Sequence, residues 1–420
     1  MWIDPAELYL SGPAHALHSF WLDAGPDAAS GWSWLGTGVP VDAPPRGVMA
    51  GGSVSHAAGA FHGGWIGWLG YDQAAAAAGA PASEDVARAP QTRWLRAERF
   101  VAIDHAARTL WAWAPEHDLD DFVSEVLTWR GGAIDAPVAP ASVAVSARHR
   151  PDEYADLIRR CQEHIRDGDA YQLCLTTRFE VAARVDPVDA YMRLRTATPA
   201  HHGGLIRSGS FALASASPER FLEVSEGVVR TRPIKGTRPR GTDAAADAAL
   251  AEELRTSVKE RAENVMIVDL MRNDLQRVCL TGGVAAERLL EVESYPAVHQ
   301  LVSTVAGRLR PGIRIGDVLD AAFPAGSMTG APKLAAMTLL NGLEAGPRGV
   351  YAGCFGWVGD DGAADLAMII RSIVFDDLGA YVGAGGGITW RSEPAAEVEE
   401  VGVKARGPLA ALGARLPTGW

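Results

Sequence analysis

The chain has 420 residues, 48% of them hydrophobic and 21% charged. These are ordinary figures for a globular protein able to bury a large core, in two or three domains or one large β-rich one. A net charge of −12 argues against a nucleic-acid partner, because affinity for phosphates rests on Lys and Arg.

The opening "MWIDPAELYL" is acidic where a signal peptide would be basic. Residues 47–71 contain no Asp, Glu, Lys or Arg, but they are Gly-rich and carry His56 and His62, a poor membrane span. A cytoplasmic protein without a membrane segment is expected. Cys161, Cys174, Cys279 and Cys354 stand far apart with no CxxC pair, which disfavours a zinc site and fits free thiols.

"GGWIGWLGYD" (63–72) and "TLWAWAP" (109–115) read as short strands, and the alanines at 74–78 as helix or loop filler. "GGAIDAPVAPASVAV" (131–145) reads as a connector dividing 1–145 from 146–420. Beyond it, Tyr154, Leu157, Ile158, Cys161 and Ile165 fall on one helical face that Gly168 ends. "AYQLCLTTRFEV" alternates Tyr171, Leu173 and Leu175 with Gln172, Cys174 and Thr176, a strand with one apolar and one polar face. Residues 243–278 read as helix broken near Ser257. Strands return at "GVYAGCFGWVG", "LAMIIRSIVF" and "GAYVGAGGGIT", and a last helix starts near Pro394. Strands and helices come in groups, so α+β is expected in preference to a doubly wound sheet.

In "SPERFLEVSEGVVRTRPIKG" (217–236), two β-rich runs flank Ser225-Glu226-Gly227. Folding about Gly227 sets Glu219 opposite Lys235, and facing residues lie about 4.5–5.5 Å apart at Cβ. The pair suits a general acid and a nucleophile, or simply a cross-strand salt bridge. Arg232, Arg238 and Arg240 nearby in sequence would favour the neutral, reactive amine.

Glu260 and Glu263 are three apart on one helix, as are Glu397 and Glu400 on the last, so each pair shares a face. Four inward carboxylates would need a cation, and oxygen-only ligands suit Mg²⁺. Solvated helix faces are the alternative, and for Glu260 a capping box in "SVKE". "GAGGGI" (383–388) and "GSMTGAPK" (326–333) fail the spacing of nucleotide-binding motifs, although their backbone N–H groups suit an anion. Arg371 interrupts the apolar "MIIRSIVF", so it is either paired or bound to an anion. Lys404 in "GVKARG" is a further cation. His299 and the cysteines read as structural.

"SPERFL", "PIKGTRPRG", "ERAENVMIVDLMRNDLQRV", "HQLVSTVAGRL", "FPAGSMTGAPK", "GVYAGCFGW", "MIIRSIVF" and "EPAAEVEEVGVKARG" occur in one order. Over roughly 146–412 the chain resembles the chorismate-utilising enzymes, and "FHGGWIGWLGYD" extends the likeness. The resemblance implies two large β-sheets packed as a sandwich with outer helices, and an active-site cleft holding Mg²⁺. It implies Glu263 and Glu400 as metal ligands with Glu260 and Glu397 behind them. Tyr351, Arg371 and Lys404 would bind the substrate's carboxylates beside the Gly385, Gly386 and Gly387 backbone. Thr237 would lie beside the ring, and Glu219 would protonate the departing 4-hydroxyl.

Isochorismate and salicylate synthases carry a lysine base where this chain has Gln172 at the substrate, which argues against those activities. "PIKGT" is similar to aminodeoxychorismate synthase component I, where the lysine attacks the ring, whereas anthranilate synthases usually read "PIAGT". Gln300 before "LVS" replaces an anthranilate synthase histidine, and Cys174 an asparagine common in relatives. The implied substrates are chorismate and ammonia, and the implied product 4-amino-4-deoxychorismate serves para-aminobenzoate and folate synthesis. No "GxCxGxQ"-like motif is present, so a separate glutaminase subunit is the implied ammonia source. The alternatives are anthranilate synthase component I and a catalytically silent chorismate-binding paralogue. Some family members bind tryptophan in the N-terminal part, and no side chains here identify such a site.

Overall fold

The computed structural model describes residues 2–52, 58–82, 88–129, 142–295 and 298–420. His56 and most of the expected connector, residues 131–141, lie outside the described residues. The first part comprises α1 (Pro5–Ser11), β1 (His18–Asp23), β2 (Trp32–Val41), β3 (Gly64–Leu69), α2 (Tyr71–Ala77), β4 (Thr92–Asp104), β5 (Thr109–Trp113) and α3 (Leu119–Val126). Then come β6 (Ser146–Ala147), α4 (Pro151–Asp167), β7 (Gln172–Val181), α5 (Pro187–Ala197), β8 (His202–Ser208) and β9 (Phe211–Ser217). The middle holds β10 (Arg220–Ser225), β11 (Val228–Thr231), β12 (Ile234–Pro239), α6 (Ala244–Thr256), α7 (Val258–Gln276), β13 (Cys279–Ser294) and β14 (Val298–Leu309). The last part is α8 (Ile315–Ala322), β15 (Gly330–Ala331), α9 (Lys333–Leu343), β16 (Cys354–Gly359), β17 (Ala364–Met368), β18 (Ser372–Asp376), β19 (Gly379–Ile388) and α10 (Pro394–Ala411).

Every pairing between these strands is antiparallel. One continuous path runs β13–β14–β11–β10–β17–β16–β3–β4–β2–β1–β8–β9–β18–β19–β7. The early strands sit in its middle, β3 on β16 and β1 on β8, so the N- and C-terminal segments build one network. Two buried clusters fill the interior. One includes Phe61, Trp68, Phe100, Ile267 and Phe355, the other Trp21, Tyr154, Phe179, Tyr191 and Val401. Antiparallel strands packed with helices give the expected α+β architecture. Among the described residues, no helix is long and apolar enough to cross a membrane.

Local chemistry explains the helix ends. α4 begins at Pro151, with Glu153 accepting the Arg150 backbone N–H at 2.7 Å, and ends at Gly168 with φ +87°. Its Tyr154, Leu157, Ile158 and Cys161 are buried as their spacing predicts. The helix over 243–278 breaks at Ser257, whose side chain caps α7 by accepting the Glu260 N–H.

Four local expectations are corrected. β7 is buried on both faces, and Tyr171 stands before it, 73% exposed. Leu173, Leu175 and Phe179 pack in one buried cluster and Cys174 in the other, so neither face is left to solvent. "LAMIIRSIVF" is two strands, and Arg371 stands in the break between them with φ +53°. The β10–β11 turn has two central residues, Glu226 and Gly227, at φ +53° and +70°, so Glu223 faces Arg230. That shifts the register by one, and the pairing stops short of Glu219 and Lys235 because Pro233 interrupts the strand and β12 follows β14 instead. Finally, only the Ser257 half of the "SVKE" capping box forms, while Glu260 turns toward Arg238 at 3.6 Å.

Candidate active site

Lys235 owes its position to a bulge. Ile234 pairs with Val302 and Thr237 with Gln300, so Lys235 and Gly236 together oppose Leu301. Gly236 has φ +87°, and a left-handed glycine in a bulge re-aims the neighbouring side chain. A Cβ on Gly236 would also strike Glu260 Oε2 at 2.9 Å. Opposite, β19 and β7 pair Gly385 with Thr176, Gly386 with Leu175 and Gly387 with Cys174. A Cβ on Gly387 would lie 2.6 Å from Gln172 Nε2 and 3.2 Å from Lys235 Nζ. The missing side chain is therefore what lets the lysine and the glutamine approach. Gln172 is fully buried, and neither its Nε2 nor its Oε1 has a hydrogen-bond partner among the described residues. A buried amide left this way is costly unless something else completes it.

Among the described residues Lys235 makes no ion pair, although its charge acts on Glu219, Glu263 and Glu400. The three arginines near it in sequence do not surround it. Arg232 pairs with Glu293, Arg238 with Glu253 at 3.1 Å, and Arg240 with Asp247 at 2.7 Å. Each meets its own carboxylate, so among the described residues these arginines do not supply the expected cationic setting for the amine.

Glu219 is 7% exposed and accepts a hydrogen bond from the Ser327 hydroxyl at 3.0 Å. Burial raises its carboxyl to about 7, while Ser327, Lys235 and Lys404 pull the other way. A carboxyl that keeps its proton near neutrality is suited to general acid work. Ser327 had no sequence signal beyond its place in "GSMTGAPK".

Lys404 donates to the Gly385 carbonyl at 2.8 Å and pairs with Glu400 at 2.6 Å. Tyr351 packs against β19 where a Cβ on Gly383 would lie 2.1 Å from its ring. Burial pushes the Arg371 guanidinium down, opposed by Tyr351 and Glu400. Among the described residues Arg371 has no ion-pair partner, so an incoming anion would compensate its burial. Thr237 lies on β12 two residues from Lys235 and is exposed.

The four carboxylates are electrostatic neighbours. Burial raises Glu263, and Glu260 and Glu397 add to the effect. Burial also raises Glu397, with Glu400 adding. For Glu400 the burial that would raise it is outweighed by Lys404, leaving it low. Lys259, which sequence reading missed, stands 4.0 Å from Glu263. Among the described residues no three His, Cys, Asp or Glu side chains converge as a metal-holding group. The donor set nonetheless fits a hard cation, because repelling oxygen ligands on two helices gain from one.

The remaining expectations are structural. His299 is buried between Ser294 Oγ at 2.8 Å and Asp247 Oδ1 at 2.9 Å. All four cysteines are buried and free, and burial raises each thiol.

The family described as "chorismate binding enzyme" matches residues 45–410. The chain is similar to a protein named aminodeoxychorismate synthase from Streptomyces pristinaespiralis, 41% identical over 84% of this chain and 51% of the relative. It therefore spans about half the length of that relative. It is also similar to a protein named anthranilate synthase component 1 from Streptomyces coelicolor, 40% identical over 84% of this chain and 73% of that one. Among solved structures, anthranilate synthase component I from Streptococcus pneumoniae superposes with a TM-score of 0.77 at 30% identity, covering 94% of this chain and 92% of that one. An isochorismate synthase, MenF from Escherichia coli, shares the fold at 17% identity, with a TM-score of 0.71 over 98% of this chain and 91% of that one.

Proposed function

The chain belongs to the family of chorismate binding enzymes, and we propose that it converts chorismate and ammonia to 4-amino-4-deoxychorismate. The observation that carries this reading is Lys235, a lysine whose amine lies beside Gly387 and Gln172 with no ion pair among the described residues. Arg371, Tyr351 and Lys404 would receive the substrate's carboxylates along the Gly385–Gly386 backbone, with Thr237 at the ring. Glu263 and Glu400 would hold Mg²⁺, with Glu260 and Glu397 behind them, and the bound ion would screen a substrate carboxylate.

Lys235 adds to ring carbon 2 while Glu219 gives its proton to the 4-hydroxyl. Both ring double bonds shift, C1–C2 to C6–C1 and C5–C6 to C4–C5, and the 4-oxygen leaves as water. Ammonia then adds at carbon 4 and returns a proton to Glu219, both double bonds move back, and the lysine amine departs from carbon 2. One difficult displacement becomes two easier ones. Glu219 reaches this step protonated because burial raises its carboxyl to about 7. Gln172, whose amide atoms lack partners among the described residues, would complete its hydrogen bonds on the bound reactants. A separate glutaminase subunit would supply the ammonia, and the product would serve para-aminobenzoate and folate synthesis.

A second reading, anthranilate synthase component I, is favoured by the Streptomyces coelicolor relative and the Streptococcus pneumoniae structure. Product identification separates the two. Protein incubated with chorismate, Mg²⁺ and concentrated ammonium salt near neutral pH, where Glu219 still holds its proton and the salt supplies some free ammonia, should yield aminodeoxychorismate by mass spectrometry. Release of anthranilate and pyruvate would establish the second reading instead.

A further inference from the structure

Arg348 has no part in the chemistry described so far, yet it is only 3% exposed and its guanidinium is engaged on all sides. Nε donates to Glu344 Oε2 at 2.8 Å and Nη2 to Glu344 Oε1 at 2.6 Å, a two-pronged carboxylate pair. Nη2 also reaches the Cys174 carbonyl at 2.8 Å, and Nη1 the Met328 carbonyl at 2.6 Å. The Tyr71 ring stacks on the guanidinium, 4.2 Å from carbon to centroid. Glu344 Oε1 also accepts the Thr176 backbone N–H at 2.9 Å. Asp72, beside Tyr71, accepts the backbone N–H groups of Arg348 at 3.1 Å and Gly349 at 2.7 Å.

Two of these acceptors adjoin the reacting groups. Met328 follows Ser327, whose hydroxyl donates to Glu219. Cys174 lies between Gln172 and Thr176 on β7, opposite Gly387. One planar, rigid fork thus grips two stretches of backbone far apart in sequence, and a lysine's single point charge could not hold both. We propose that Arg348 is a positioning residue that fixes Ser327 against Glu219 and holds the Gln172 end of β7 at the site, braced by Tyr71 and Asp72 from the N-terminal segment. This rests on Glu219 being the proton donor.

The test is the pH dependence of kcat and KM for aminodeoxychorismate formation in wild type, Arg348→Lys, Ser327→Ala and the double variant. Arg348→Ala is unsuitable because it strands Glu344 as an unpaired buried carboxylate. The groups facing Glu219 are Ser327, Lys235 and Lys404. Loss of the Ser327 hydrogen bond removes a downward pull, so the alkaline limb moves to higher pH. Arg348→Lys should reproduce that shift, and the double variant should add little to it. Its kcat should fall roughly tenfold to 10²-fold with KM nearly unchanged, since a small misplacement of the acid acts on the chemical step. If Arg348→Lys does not fold, Tyr71→Leu decides, because it removes the stacked ring and leaves every hydrogen bond of the guanidinium. A smaller shift in the same direction supports the proposal, and a wild-type limb in the folded variant overturns it. Glu219→Gln separates the premises. If it keeps the alkaline limb, the acid assignment fails and the proposal falls with it. If the limb vanishes there but stays in place in Arg348→Lys, the positioning role alone is overturned.

Discussion

A methyl group on Gly387 would lie 3.2 Å from Lys235 Nζ and 2.6 Å from Gln172 Nε2, so this glycine faces the ends of two side chains. Gly385 faces backbone instead, the Leu175 carbonyl at 2.4 Å and Thr176 Cα at 2.9 Å. Gly386 has more room, with Glu397 Oε2 at 3.1 Å and Lys404 Nζ at 3.9 Å. Gly387→Ala should therefore fold, as flexible ends swing aside, but lose on the order of 10²-fold in turnover through displacement of the lysine. Gly385→Ala should fail to give folded protein because the β19–β7 pairing must open. Melting curves and turnover numbers of the two alanine variants check this, and a folded, active Gly385→Ala would refute it.

Glu219→Gln tests the acid in two ways. Turnover should drop about 10²- to 10⁴-fold, the usual contribution of a positioned proton donor. In wild type the donor is lost as pH rises through about 7, so the rate should fall on the alkaline side. Stability follows the same sign. The unfolded carboxyl ionises near its ordinary 4.5 and the folded one near 7, so the native state holds the proton longer. Its contribution is fully present below about 4.5 and is lost as pH rises to about 7. Glu219→Gln should thus melt higher than wild type above neutral pH and gain nothing in mild acid. An equal gain at both pH values would show that burial does not hold the proton.

Mg²⁺ binding should divide the four carboxylates. Glu263→Gln and Glu400→Gln should abolish calorimetric Mg²⁺ binding, whereas Glu260→Gln and Glu397→Gln should weaken it about 10- to 100-fold, as supporting groups do. Equal weakening by all four would contradict the assignment.

What could be foreseen from sequence was what depends on near neighbours. The apolar face of α4, the break at Ser257, the start of α10 and the paired glutamates on α7 and α10 all follow from spacing of three or four residues. What depends on tertiary partners was hidden. The Glu219–Lys235 hairpin pairing fails because the turn closes on two residues and Pro233 interrupts the strand. Arg232, Arg238 and Arg240 look like a cationic cluster in the chain, yet each meets a carboxylate from β13 or α6. The left-handed backbone of Arg371 is a conformation that a residue between isoleucine and serine does not announce. Ser327 and Arg348 act through contacts with residues 108 and 174 positions away. No local pattern encodes such contacts.

The central claim is that Lys235 becomes bonded to the substrate ring. It is tested most directly by incubating the protein with chorismate and Mg²⁺ without ammonia, quenching, and mapping peptides by mass spectrometry. A chorismate-derived adduct, less one water, should appear on Lys235, vanish when ammonia is added before quenching, and be absent from Lys235→Ala. Aminodeoxychorismate formation by Lys235→Ala at the wild-type rate, with no adduct on the wild type, would contradict it.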